Sequence, residues 1–239
     1  MGRSPDFPGI EQGSLAALVR ADNRLLLMLE HFEILLPLRE KTLDEACRDA
    51  GINPELVAAV ARLYIGRRLK IGTGITSADL PAIIRYLKSN HSFYLDEIFP
   101  EIRQLIGQLA ASNRSEEMPL VQKFFEDYYR EVEEHLKYEN EIAFPYIGRV
   151  FENTTGESQP LNTEYSVNEY RDHHDDIEQK LDDLIRLLIK YLPGQNDQKI
   201  RRDLFNKLNE LDYDLRVHSM IEDQILIPLV ESLEKKSRS

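Results

Sequence analysis

Two stretches of the chain carry the same spacing of metal-binding residue types. His135-Leu136-Lys137-Tyr138-Glu139-Asn140-Glu141-Ile142-Ala143-Phe144-Pro145 is echoed by His218-Ser219-Met220-Ile221-Glu222-Asp223-Gln224-Ile225-Leu226-Ile227-Pro228, and both read His-x3-Glu-x2-Ile-x2-Pro. At 3.6 residues per turn, positions four apart lie only about 40° apart around a helix, so each copy can aim an imidazole and a carboxylate at one point. A lone histidine precedes each copy by the same 44 residues, His91 before His135 and His174 before His218. That equality selects His174 over its neighbour His173. The candidate ligands are therefore His91, His135, Glu139, His174, His218 and Glu222. A single His-x3-Glu pair is cheap, because any helix can carry one as a surface contact. Two copies sharing Ile and Pro, each with a further His at equal distance, make a metal site the stronger reading than duplication without one.

The donor types narrow the metal. Four imidazoles and two carboxylates with no thiolate exclude Cys-rich structural zinc and disfavour calcium. Six ligands also exceed what one tetrahedral ion uses. Two ions fit, each held by two His, with Glu139 and Glu222 bridging; iron matches the nitrogen-rich shell and manganese is the second choice. Two divalent ions outweigh two carboxylates in charge, which favours an oxo or hydroxo bridge or an exogenous anion. Open positions on such ions would bind or reduce small molecules such as oxygen, nitric oxide or peroxide.

Positioning these ligands requires helices. The halves running from about 78 to 152 and from 162 to 236 each read as a helix, a loop and a returning helix, so the chain is expected to be all-α, with an up-down four-helix bundle over 78–236. A small helical domain over 1–72 precedes it. There, Leu15, Leu18, Leu25, Leu29 and their neighbours suggest one or two short buried helices. Thr42 and Glu45 form a capping box for a helix that stops at Gly51, and Asn53-Pro54 opens the next. Ser77 is read as the cap of the first bundle helix, and Ser112-Asn113-Arg114-Ser115 as its break. Pro145 and Pro228 each fall six residues beyond their Glu and are expected to kink their helices alike.

Composition bounds the rest. The 239 residues carry a formal charge of −12, which argues against generic nucleic-acid binding or attachment to an anionic membrane. No apolar run approaches the roughly 20 residues that span a bilayer. Cys47, the one cysteine, cannot form an internal disulfide, which fits a cytoplasmic protein. His31 reads as a packed or capping residue of the small domain.

His91, the His135/Glu139 pair, His174 and the His218/Glu222 pair resemble the hemerythrin-like, or HHE cation-binding, domain. The four-His, two-Glu count is similar to the di-iron family that repairs iron centres. Phe32 to Leu63, with Lys41-Thr42-Leu43-Asp44-Glu45-Ala46-Cys47, also looks like the short N-terminal domain of those repair proteins, although Ile34-Leu35-Leu36-Pro37-Leu38 stands where many relatives carry adjacent cysteines. The resemblance implies a stress-response role in recovery of iron-sulfur clusters from nitric oxide or oxidative damage, with iron-sulfur proteins as partners and donation of a labile iron as one route. Two other readings stay open. One is reversible sensing or storage of oxygen or nitric oxide. The other is a regulator in which Leu43 to Val60 forms a helix-turn-helix followed by Arg62, Arg67, Arg68 and Lys70, although Asp44, Glu45, Asp49 and Glu55 make its reading face acidic, so helical packing is favoured and no nucleic acid is expected.

Overall fold

The computed structural model describes residues 13–66, 74–155, 165–172, 177–194 and 197–237. These are helical apart from turns; no strand occurs among them, only an isolated bridge between Ser14 and Thr42. None of the described helices is long and apolar enough to cross a membrane. His173, His174, Arg67, Arg68 and Lys70 lie outside the described residues. The chain forms two compact units. One comprises Met1–Ser89, Ile147–Leu161 and Met220–Ser239, the other Asn90–Tyr146 and Asn162–Ser219.

In the first unit, α1 (Leu15–Ala21), α2 (Arg24–His31), α3 (Leu43–Ala50) and α4 (Pro54–Tyr64) follow local signals in the chain. Thr42 and Glu45 make the reciprocal capping box, and Gly51 ends α3 in the left-handed region at φ 67°, where a Cβ would be strained. Pro54 opens α4 with the Asn53 side chain accepting from the Glu55 amide. The Asn53 amide group also donates to the Gly74 carbonyl and to Asp79. Asp79 in turn accepts from the Thr76 amide. The cap here is Thr76 rather than Ser77: a 3-10 turn, Ser77–Asp79, precedes α5 (Leu80–Ser92), and its capping box places Asp79 as the return partner.

α4 buries Leu56, Val57, Ala58, Ala59, Val60, Ala61, Leu63 and Tyr64 and leaves only Glu55 exposed. A recognition helix needs an open face, and α4 instead packs within its unit. His31 is buried against the Tyr86 ring with Nδ1 at 3.1 Å from Ser89 Oγ, and Tyr86 donates to Tyr64 at 3.0 Å.

The second unit has one apolar core. It draws on α6 (Phe99–Ser112), α7 (Met118–Tyr138), α10 (Ile177–Lys190) and α11 (Gln198–Ile221). α9 (Val167–Asp172) precedes α10, whereas α12 (Ile227–Ser237) and most of α8 (Phe144–Thr155) belong to the first unit. Along α7 the buried positions are Met118, Val121, Phe125, Tyr128, Val132, His135 and Leu136, and buried Glu139 follows just past its end. Along α11 they include Leu204, Leu208, Leu211, Leu215 and His218. Steps of three and four keep each set on one helix face. The histidines therefore occupy positions that the preceding turns give to apolar residues.

The proline expectation needs a sharper statement. Each helix does not simply kink; it widens into a π-helical segment just before the proline. π1 is Phe93–Ile98 before Pro100, π2 is Glu139–Ala143 before Pro145, and π3 is Glu222–Leu226 before Pro228. The amides of Phe99, Phe144 and Ile227 reach back five residues, to the carbonyls of Tyr94, Glu139 and Glu222. A proline lacks the donor for the usual bond and its ring crowds the carbonyl four residues earlier, so a locally wider turn accommodates it. Glu139 and Glu222 are each the first residue of such a segment.

A polar clamp ties α6 to the loop before α11. Buried Asn113 donates to the Pro193 carbonyl at 2.8 Å and to Asp197 at 3.0 Å. Arg201 grips the same carboxylate through two bonds of 2.8 and 3.0 Å. Removing one partner of a buried ion pair strands the others, so Asp197→Ala should lower unfolding stability by about 3 kcal/mol in denaturant titration; a loss near zero would show that the clamp is not structural.

Cys47 is fully buried, and burial first, with the Asp44 charge second, pushes its thiol up to about 12. The unfolded thiol ionises near about 8.5. The protonated form thus favours the fold fully below the unfolded value, and that contribution fades as pH rises toward the folded one. At pH ~9 an alkylating reagent should label Cys47 rapidly in denaturant and slowly in the native protein; fast native labelling would contradict its burial.

Candidate metal centre

The site forms around the Glu139 carboxylate, which is fully buried in the second unit. Its Oε2 lies 3.2 Å from His91 Nε2 and 4.0 Å from His218 Nε2. Its Oε1 lies 3.2 Å from His135 Nε2. Donor atoms of His91, Glu139 and His218 all fall within 4.8 Å of one another. His135 reaches Glu139 from one turn earlier on α7, the i,i+4 geometry expected from the His-x3-Glu spacing. His91 comes from the end of α5 and His218 from the end of α11.

The far nitrogens of two rings are fixed. His91 Nδ1 bonds to the Asn140 amide oxygen at 3.1 Å, and His218 Nδ1 to that of Asn90 at 3.3 Å. With an amide oxygen as acceptor, a neutral imidazole at either position would carry its proton on Nδ1 and leave Nε2 facing Glu139. His91 Nε2 and Glu139 Oε2 are buried, 3.2 Å apart, and not aligned as a hydrogen bond. In that tautomer two lone-pair donors this close repel unless a proton or a metal cation lies between them. This is the arrangement that metal-ligating histidines show, with the outer nitrogen held by an oxygen and the inner one aimed at the ion.

Electrostatics agree. Burial by itself would raise the Glu139 carboxyl, but the imidazoles of His135 and His91 outweigh it and hold the group well below the usual carboxylate range. Glu139 is thus an anion inside an apolar shell. Phe144 stacks on His91 with ring centroids 5.5 Å apart, and Tyr94 meets His218 edge-on at 5.9 Å. The buried Tyr94 hydroxyl donates to Asp214 at 2.7 Å. Tyr170 donates to Glu139 Oε1 at 3.1 Å.

Four of the six expected ligands, His91, His135, Glu139 and His218, are therefore brought together. Glu222 is fully buried as the first residue of π3, matching Glu139 in π2, and belongs to the first unit. His174 lies outside the described residues. Sequence reasoning missed Asn90, Asn140 and Tyr170. Asn90 adjoins His91 and Asn140 adjoins Glu139, yet each serves a distant partner, so no local pattern marks them.

The described donors, nitrogen and oxygen with no sulfur, could hold a metal ion at His91, Glu139 and His218. Loss of the outer hydrogen bond typically weakens such a site, so Asn140→Ala and Asn90→Ala should each lower metal affinity by about 10- to 100-fold in competition with a chromophoric chelator. Unchanged affinity in both would show that the amides do not orient the rings. Compared with known proteins, the chain matches no family model, no curated protein and no solved structure.

Proposed function

We propose that this chain is a hemerythrin-like di-iron protein of the iron-centre repair type, acting in the cytoplasmic response to nitrosative and oxidative stress. The observation that carries the reading is the convergence of His91, His218 and His135 on the two oxygens of one buried carboxylate. A carboxylate with imidazoles on both oxygens is suited to bridging two ions, and Glu139 takes that role. By the sequence repeat, His174 and Glu222 are the expected counterparts of His91 and Glu139. Spacing within the second half supports His174: counting back from Leu188, Leu184, Leu181 and Ile177 by the same steps of three and four reaches position 174 and then Tyr170. The apolar core shared by α6, α7, α10 and α11 supports a four-helix bundle as the scaffold.

Bound iron would supply redox chemistry toward oxygen, nitric oxide or peroxide, or serve as iron delivered to damaged iron-sulfur proteins. The chain's own residues do the rest. Asn140 and Asn90 fix the tautomers of His91 and His218, Phe144 and Tyr94 exclude water, and Glu139 lends the charge that offsets part of the ions' own. The N-terminal unit lacks thiols at Ile34–Leu38, and its Cys47 is held protonated by burial, so repair by this chain works through iron rather than cysteine.

Burial favours a second reading. No described ligand is more than 8 % exposed, which suits retention of iron and reversible sensing or storage of oxygen or nitric oxide. Anaerobic purification with metal analysis, followed by exposure to nitric oxide, oxygen and a chelator, separates the two. The repair reading expects about two irons per chain and ready loss of one to chelator. Tight retention with a reversible oxygen band selects the sensor, and refusal of both iron and manganese contradicts both. His174→Ala should remove much of the iron, whereas His173→Ala should leave it nearly intact; the reverse would overturn the assignment by spacing.

A further inference from the structure

The two oxygens of Glu139 stand in different surroundings. Oε2 accepts no hydrogen bond among the described residues and faces His91 Nε2 and His218 Nε2. Oε1 faces His135 Nε2 and is at the same time the acceptor for the Tyr170 hydroxyl at 3.1 Å. Tyr170 itself is buried, on α9, where the Ser166 amide bonds to the Glu169 carboxylate and the Glu169 amide to the Ser166 carbonyl. It is delivered to the carboxylate by a locally braced helix.

Resting on the metal-centre reading above, we propose that Tyr170 makes the two ion positions of this centre unequal. An ion held through Oε2 with His91 and His218 binds first and is retained; an ion held through Oε1 with His135 binds second and leaves first. A carboxylate oxygen offers about two lone-pair directions, and a phenolic O–H occupying one of them both narrows the approach and draws electron density from the other. Hydrogen bonds to a charged acceptor are among the stronger ones, so the weakening falls on Oε1 and spares Oε2. The inner nitrogens on the Oε2 side are also aimed by Asn140 and Asn90, which lowers the cost of ordering them when the ion arrives. Tyr170 acts through Glu139 and is a positioning residue.

Anaerobic loading of the full chain with iron(II), and separately with cobalt(II), followed by stopped-flow chelator release, tests this. The wild type should lose metal in two phases, a fast one and a slow one. Tyr170→Phe, which removes one oxygen and keeps the ring, should slow the fast phase about tenfold and leave the slow phase unchanged. His135→Ala should retain the slow phase and lose the fast one, whereas His91→Ala should lose the slow phase. The cobalt spectrum of Tyr170→Phe should change only in the component that fills second.

Equal change of both phases in Tyr170→Phe, or no change in either, would overturn the proposal, and so would His91→Ala abolishing the fast phase alone. A phenolate-to-iron charge-transfer band in the oxidised wild type that Tyr170→Phe removes would also overturn it, because Tyr170 would then be a ligand. Failure of the wild type to bind metal would instead sink the metal-centre reading itself. Biphasic release insensitive to Tyr170 would leave that reading standing.

Discussion

A carboxylate with no access to water, ringed by imidazole nitrogens, is the constraint to which the second unit is built. Taking an ionised carboxylate out of water costs several kcal/mol after relaxation, and Glu139 sits on the stripe of α7 that Val121, Phe125 and Val132 devote to the core. A leucine there would stabilise the fold more. The polar group persists at this depth because partners converge on it: His135 from its own helix, His91 and His218 from two others, and the Tyr170 hydroxyl. Burial works against ionisation, but His135 and His91 outweigh it and keep the acid well below the usual carboxylate range. A bound cation would do the same more completely, and it would relieve the close approach of His91 Nε2 to Glu139 Oε2.

Backbone geometry serves this arrangement. A π-helical segment begins at each of the two motif glutamates and ends two residues before a proline. π1 starts two residues after His91, at the end of α5, and likewise stops two residues before its proline, Pro100. The wider turn shifts the phase of the helix, so side chains on its two sides need not follow a single stripe. A regular α-helix continued through residues 139–143 would keep one phase, and the proline would leave a carbonyl crowded and unbonded.

What could be read from the chain divides along local and distant determinants. Caps and breaks depend on near neighbours, so Thr42 with Glu45, Asn53-Pro54, Gly51 and the break after Ser112 are legible, and only the step from Ser77 to Thr76 needed correction. His135 and Glu139 are likewise one turn apart on one helix. The second copy of the motif marks His218, and the equal 44-residue separations mark His91, so the duplication carries long-range information in the sequence itself. Asn140 is 49 positions from the His91 it orients, and Asn90 is 128 from His218. No repeat links those pairs, and asparagines beside ligands look like any polar residue. Tyr170 is hidden for the same reason. The π segments were half visible, since proline announces a disturbed helix without saying whether it kinks or widens.

His91, His218 and Glu139 could hold a metal ion between them. Anomalous diffraction from crystals of the full chain grown anaerobically with iron(II) or manganese(II), with data on both sides of the metal edge, locates any bound ion without reference to activity. The account predicts a peak about 2.1 Å from His91 Nε2, His218 Nε2 and Glu139 Oε2. Peaks confined to the acidic surface, with the three side chains unmoved and nothing between them, would contradict it.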